Sequence, residues 1–206
     1  PTLNMIPGVH ALGLVTDAVV VPVVLADLDF FPTATGIKVY APGDTTDLTG
    51  NYDVVLKPNT YNIDYVPPPG TALRPVHTLS NNVNATATLP TIVLPAGFLL
   101  SGVTRSNATL LPVAGAEVNL FPPGSPVAAW TPHDHTDLNG LYNVAVDAGT
   151  WDLLYTPPMG SGLAPRWSRG VVVSGATSRP DILFLPLTVP AVIGIASSSG
   201  SSAGGT

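Results

Sequence analysis

DTTDLTGNYDV at 44–54 returns as DHTDLNGLYNV at 134–144. A match of that length at a spacing of 90 residues marks an internal repeat, and its register decides how the chain is divided. Moving outward, the register holds without a gap from Pro22 on Pro112 to Pro75 on Pro165. LADLDFFP (25–32) lies on GAEVNLFP (115–122), and TYNIDYVPPPG (60–70) lies on TWDLLYTPPMG (150–160). Further upstream, GLVTD (13–17) resumes opposite GVTR (102–105) after a small length change. The division falls where TIVLP meets AGFLL, giving repeats at 1–95 and 96–186 and an apolar strand with a Gly/Ser-rich tail at 187–206.

The matched segments alternate with a period of two, as half-buried strands require. Ala26, Leu28 and Phe30 share one face against Asp27 and Asp29, and Ala116, Val118 and Leu120 repeat this against Glu117 and Asn119. The pattern predicts two separate cores. Leu28, Tyr52, Val54, Tyr61 and Ile63 belong to the first, and Val118, Tyr142, Val144, Trp151 and Leu153 to the second. Turn-forming LTGN, KPNT, LNGL and DAGT punctuate the strands, and no long segment carries a helical period. Short strands with turns every 8 to 12 residues predict an all-β fold, two tandem antiparallel sandwiches in line.

The order of a strand with AGAEVNLF, then Thr136, Asp137, Gly140 and Tyr142, then Ala148-Gly149-Thr150-Trp151 resembles the carboxypeptidase regulatory-like, or transthyretin-like, β-sandwich domain. The first copy carries Thr46, Asp47, Gly50 and Tyr52, but Pro58-Asn59-Thr60-Tyr61 stands where that family usually has a Gly. The resemblance implies a Greek-key sandwich of about seven strands per copy and carries no activity with it. Members serve as modules of secreted enzymes, adhesins, receptors and surface fibres.

Composition narrows the function classes. Charged residues make up 10% of the chain, against about 25% in ordinary domains, while Pro (23) and Gly (20) are abundant. The net charge of -6 and the lack of a basic stripe exclude nucleic acid as a partner. Cysteine is absent, which excludes thiol chemistry and disulfides. The apolar tract 182–196 is interrupted by Pro186 and Pro190 and is too short for a transmembrane segment. No leader opens the sequence, so any secretion signal is expected to have been removed.

Asp44, Asp47 and Asp53 offer oxygen donors for calcium, but an Asp before a Gly in a turn serves the backbone first. His133 and His135, alternating on an extended segment beside Asp137, are the candidate metal ligands, and a divalent ion is the one cofactor considered. The first copy has Gly43 and Thr45 there. Nothing supplies an oriented nucleophile and base, so no enzyme is expected. Tyr40 with Trp130, and Tyr61 with Trp151, are assigned to packing, whereas Trp167 between Arg166 and Arg169 belongs to an exposed edge. Asn84-Ala-Thr86 and Asn107-Ala-Thr109 fit the glycosylation pattern.

These features predict a non-catalytic structural subunit of an extracellular or cell-surface assembly, such as a filament, layer or adhesive stalk, whose partners are copies of itself. The alternative is an accessory glycan-binding or spacer module of a larger secreted enzyme or receptor. The surplus apolar residues Leu187, Val189, Val192, Ile193 and Ile195 are the expected assembly contacts, pairing with a sheet edge of a neighbour, with 1–7 used likewise.

Overall fold

In the computed structural model, which describes residues 7–187, the alternating segments form strands. The first sandwich holds β1 (Val9–Asp17), β2 (Asp27–Pro32), β3 (Asn51–Leu56), β4 (Asn59–Val66), β5 (Val76–Val83), β6 (Ala87–Thr88) and β7 (Ile92–Leu94). The second repeats the series as β8 (Phe98–Ser106), β9 (Glu117–Phe121), β10 (Leu141–Val146), β11 (Gly149–Thr156), β12 (Arg166–Val173), β13 (Thr177–Ser178) and β14 (Ile182–Phe184). No helix occurs among the described residues.

In each sandwich one sheet is wholly antiparallel, β2-β4-β5 and β9-β11-β12. The other is mixed. β3 pairs antiparallel with β1, while β6 and β7 return to lie parallel along its other edge. β10, β8, β13 and β14 do the same. A parallel neighbour needs a crossover, and the chain makes it between β5 and β6 by changing sheets. Pro90 and Pro180 lack an N–H and so divide the returning strand into two short pieces in both copies.

The inward positions are those that the alternation names. Ala26, Leu28 and Phe30 are fully buried, as are Ala116, Val118 and Leu120. Each such side chain as large as Leu or Phe contributes about 1.5–3 kcal/mol on burial. The two clusters share no residue, one running from Ala11 to Leu94 and the other from Leu100 to Phe184. Every predicted core residue is buried except Trp151, which packs at the margin of its cluster. Its indole N–H donates to Asp147 O at 3.1 Å beside the β10–β11 turn. Tyr61 does the equivalent in the first copy, donating to Lys57 O at 2.6 Å.

Tyr40 and Trp130 correct the packing assignment more sharply. Their segments run beside β2 and β9, with Val39 N bonded to Phe30 O (2.9 Å) and Ala129 N to Leu120 O (2.7 Å). Each sandwich thus gains an irregular extra edge. On it the aromatic points outward while Ala41 and Thr131 point in.

Candidate functional site

Each residue of the repeated T-D-x-x-G-x-Y element has a structural task. Buried Thr46 donates its hydroxyl to Val23 O (2.6 Å) and accepts from Ala26 N (2.9 Å). Thr136 does the same with Val113 O (2.8 Å) and Ala116 N (2.9 Å). Asp47 Oδ1 accepts from Thr49 Oγ1, Thr49 N and Asn51 N at 2.7–2.9 Å. These donors hold its carboxyl below the usual carboxylate range. Asp137 Oδ1 accepts from Asn139 N and Leu141 N at 2.8 and 2.9 Å. Gly50 has φ 77°, and a Cβ on it would lie 2.6 Å from Val15 O. The Tyr then covers a glycine on the neighbouring strand, Tyr52 over Gly13 and Tyr142 over Gly102. The Asp44, Asp47 and Asp53 grouping is likewise committed elsewhere, since Asp53 Oδ1 meets His10 Nδ1 at 2.7 Å.

His133, His135 and Asp137 border one hollow of ≈ 570 Å³ together with Pro69, Gly70, Leu141 and Asn143. Their donor atoms do not converge. His133 has φ 62° where the first copy has Gly43 at 77°, so the extended alternation that would align the two imidazoles is broken at this residue. His133 Nε2 lies 3.0 Å from Pro67 O. A carbonyl only accepts, so that nitrogen carries the proton and donates. His135 Nδ1 meets Asp134 Oδ1 at 2.8 Å, and Asp137 serves its turn. Among the described residues no three His, Asp or Glu side chains gather as a ligand set.

The hollow instead belongs to the junction between the sandwiches. The turn at 67–75 of the first lies against the open side of the second, between β10 and the segment 129–137. Arg74 Nη1 reaches Asp147 Oδ2 at 2.7 Å. The connection is fixed by Arg74 N to Pro95 O (2.8 Å) and Gly97 N to Ala72 O (2.7 Å). Trp130 and Trp151 face Arg74 and Pro75 across a smaller hollow. The repeat does not reveal these contacts, because Ala164 replaces Arg74 and Lys57 replaces Asp147 in the other copy.

The outward faces of the antiparallel sheets differ. On the first, Lys38 pairs with Asp29 and His77 with Asp64. Burial, with Asp29 and Asp44 nearby, raises the Asp27 carboxyl. On the second, Trp167 stands at a partly exposed edge, 5.4 Å from the Phe121 ring and with the Arg169 guanidinium 4.5 Å above it. Of the expected assembly residues, Leu187 is exposed, with its N–H on Gly162 O at 2.7 Å. Val189, Val192, Ile193 and Ile195, like positions 1–6, lie outside the described residues.

Large exposed apolar residues recur at equivalent places in the two copies. Val20 and Leu110, Val21 and Leu111, Ile37 and Val127, Tyr40 and Trp130, and Leu48 and Leu138 are all exposed. Val20 and Leu110 also share left-handed backbone, φ 68° and 57°.

No family model matches the chain, and no curated protein matches it. The likeness to the carboxypeptidase regulatory-like domain therefore remains one of sequence motif. Solved structures with some likeness include the Bacillus anthracis TIE protein, 12% identical, covering 88% of this chain and 34% of that one with a TM-score of 0.34. A streptococcal ancillary pilin is 14% identical, with 87% and 62% covered and a TM-score of 0.36. The shaft pilin SpaA of Lactobacillus rhamnosus GG is 13% identical, with 89% and 98% covered and a TM-score of 0.34. The chain thus spans about a third of the first of these and less than two thirds of the second. At such low identities and scores, what these neighbours build is a property of the neighbours.

Proposed function

We propose that this chain is a non-catalytic structural subunit of an extracellular or cell-surface assembly, made by contacts between copies of itself. One observation carries the reading: Val20 and Leu110 hold a left-handed backbone with a large apolar side chain in water. For a residue other than glycine that conformation costs about 1–2 kcal/mol, and a β-branched Val at positive φ is a true outlier. Gly or Asn would relieve the cost, and no burial among the described residues offsets it. Both copies nevertheless keep an apolar residue there. Folding does not require it, whereas a surface that is covered in the working state does.

The domain division at 1–95 and 96–186 is part of the same proposal, supported by the gap between β7 and β8 and by cores with no common residue. Sedimentation velocity and negative-stain microscopy over rising concentration test the function. Regular oligomers or fibres are expected, and their growth should weaken in a Val20→Asn, Leu110→Asn variant that folds at least as stably as the parent. A chain that stays monomeric at every concentration reached would overturn the proposal.

A further inference from the structure

We infer that copies join head to tail by repeating, between molecules, the junction that the chain already makes between its two sandwiches. The turn at 157–165 of one copy would dock on the open side of the first sandwich of the next. The inference rests on the assembly reading above and specifies its contact.

The end of the second sandwich is built like the end of the first. Ala164 N bonds to Leu185 O (2.8 Å) and Leu187 N to Gly162 O (2.7 Å), matching Arg74 N to Pro95 O and Gly97 N to Ala72 O. Leu163 bridges Pro186 as Leu73 bridges Ala96. The turn that docks in the first case, Pro67-Pro68-Pro69-Gly70, therefore reappears as Pro157-Pro158-Met159-Gly160 in the same setting, with Met159 fully exposed among the described residues.

The receiving side is also duplicated. In the second sandwich His135, Asp137, Leu141 and Asn143 line the hollow that Pro69 and Gly70 enter. Their counterparts Thr45, Asp47, Asn51 and Asp53 line a hollow of ≈ 560 Å³ in the first sandwich that no residue from the other sandwich borders.

Exposure separates the used junction from the free ends in the way this predicts. Trp130, which faces Arg74 and Pro75, is 46% exposed, while its counterpart Tyr40 is 92% exposed. Ala145 is half-buried at the junction, while its counterpart Val55 is exposed. At the other end Leu185 and Leu187 are exposed where Pro95 and Gly97 are half-buried at the junction, while the turns themselves are alike, Met159 and Pro69 both being exposed. Apolar residues are thus left bare on both of the surfaces that would meet. Such a contact is heterologous and does not close on itself unless the rotation happens to form a ring, so it propagates as a filament. Within the chain the junction has the advantage of covalent linkage, with an effective concentration in the millimolar range. Between chains the same contact lacks that advantage and lacks the Arg74–Asp147 pair, so it forms at high local concentration.

The absence of cysteine makes the test clean. Met159→Cys protein is mixed with Asp53→Cys protein and treated with a short bis-maleimide, with Met159→Cys plus Val172→Cys as the off-site control. Pro69→Cys, Asn143→Cys in one chain is the intramolecular standard. The expected result is a cross-linked dimer at least tenfold more abundant in the first mixture than in the control. An Ala164→Arg, Lys57→Asp variant should also associate roughly two- to fivefold more tightly at low salt, as an added surface ion pair allows. If the parent chain assembles by sedimentation but the two mixtures cross-link equally or not at all, the head-to-tail contact is wrong and the assembly reading stands. If the parent never assembles, both fall.

Discussion

Substituting Gly102→Ala should destabilise the second sandwich and leave the first untouched. The added Cβ would lie 2.5 Å from Tyr142 Oη and 2.8 Å from Cε1 and Cζ of the same ring, well inside van der Waals contact. An exposed tyrosine would swing away at little cost. Tyr142 is 1% exposed, its hydroxyl is 3.0 Å from Tyr155 Oη, and the two rings sit 5.6 Å apart. The overlap must therefore be relieved by displacing a packed pair or by parting β8 from β10, and overpacking of this kind costs about 1–3 kcal/mol. The three tryptophans, Trp130, Trp151 and Trp167, all lie in the second copy. Tryptophan fluorescence through a urea titration therefore follows that sandwich, while far-UV circular dichroism follows both. The expected result is an earlier fluorescence midpoint with unchanged slope and an unmoved transition for the first sandwich. A Gly102→Ala, Tyr142→Leu double variant should be less destabilised than the sum of the single changes, with a coupling of at least about 0.5 kcal/mol. A single-variant cost below about 0.5 kcal/mol, or strict additivity, would refute the idea that the tyrosine is there to cover the glycine.

Other substitutions probe the remaining parts. Thr46→Val should cost about 1–3 kcal/mol by leaving both Ala26 N and Val23 O without a partner. Thr136→Val should cost less, because Val113 O keeps its bond from Thr104 Oγ1; equal losses would argue against the bookkeeping of partners. Asp47 has its carboxyl held below the unfolded value, so its contribution is full above about pH 4 and fades as pH falls through the lower folded value. The thermal midpoints of the parent and Asp47→Asn proteins should converge in acid, and a constant gap down to about pH 2 would count against this. His133→Gly should leave the second sandwich as stable or more so, since it removes a left-handed residue, yet free the two halves to tumble with separate correlation times in NMR relaxation. A loss of more than about 1 kcal/mol would mean that the histidine serves its own sandwich instead.

What could be read from the sequence and what could not divide along a physical line. The inward positions of β2, β3 and β4 were legible because burial acts on every second residue and acts alike in both copies. Val54 and Val144, or Leu28 and Val118, differ or agree without changing the pattern. The parallel return of β6 and β7 was not legible, because strands of two and three residues flanking Pro90 leave too little alternation to identify. Tyr40 and Trp130 misled for a related reason. Matched aromatics on an alternating segment suggest a core, but the segment is an added edge whose inward residues are the small Ala41 and Thr131. His133 shows the limit of alternation: an imidazole two residues from another shares a face by alternation only while the chain is extended, and φ 62° breaks that condition although both border one hollow.

The junction lies outside what the repeat encodes. Comparing the copies draws attention to positions where they agree, and agreement comes from what each sandwich needs to fold on its own. A contact between the sandwiches uses one end of the first and one side of the second, so each participating residue faces a counterpart with no such contact. Arg74 lies opposite Ala164, Asp147 opposite Lys57, and His133 opposite Gly43. Divergence at these positions therefore does not mean absence of function, since a one-sided contact must diverge if the other copy meets a different environment. Gly43 and His133 share the same left-handed backbone, and only the copy that faces Pro67 retains a side chain at the cost this conformation imposes. Where both copies keep an exposed apolar residue despite that cost, as at Val20 and Leu110, the same reasoning requires a cover that acts on both copies alike. No described residue of the chain supplies such a cover, and the proposed assembly of repeated subunits would.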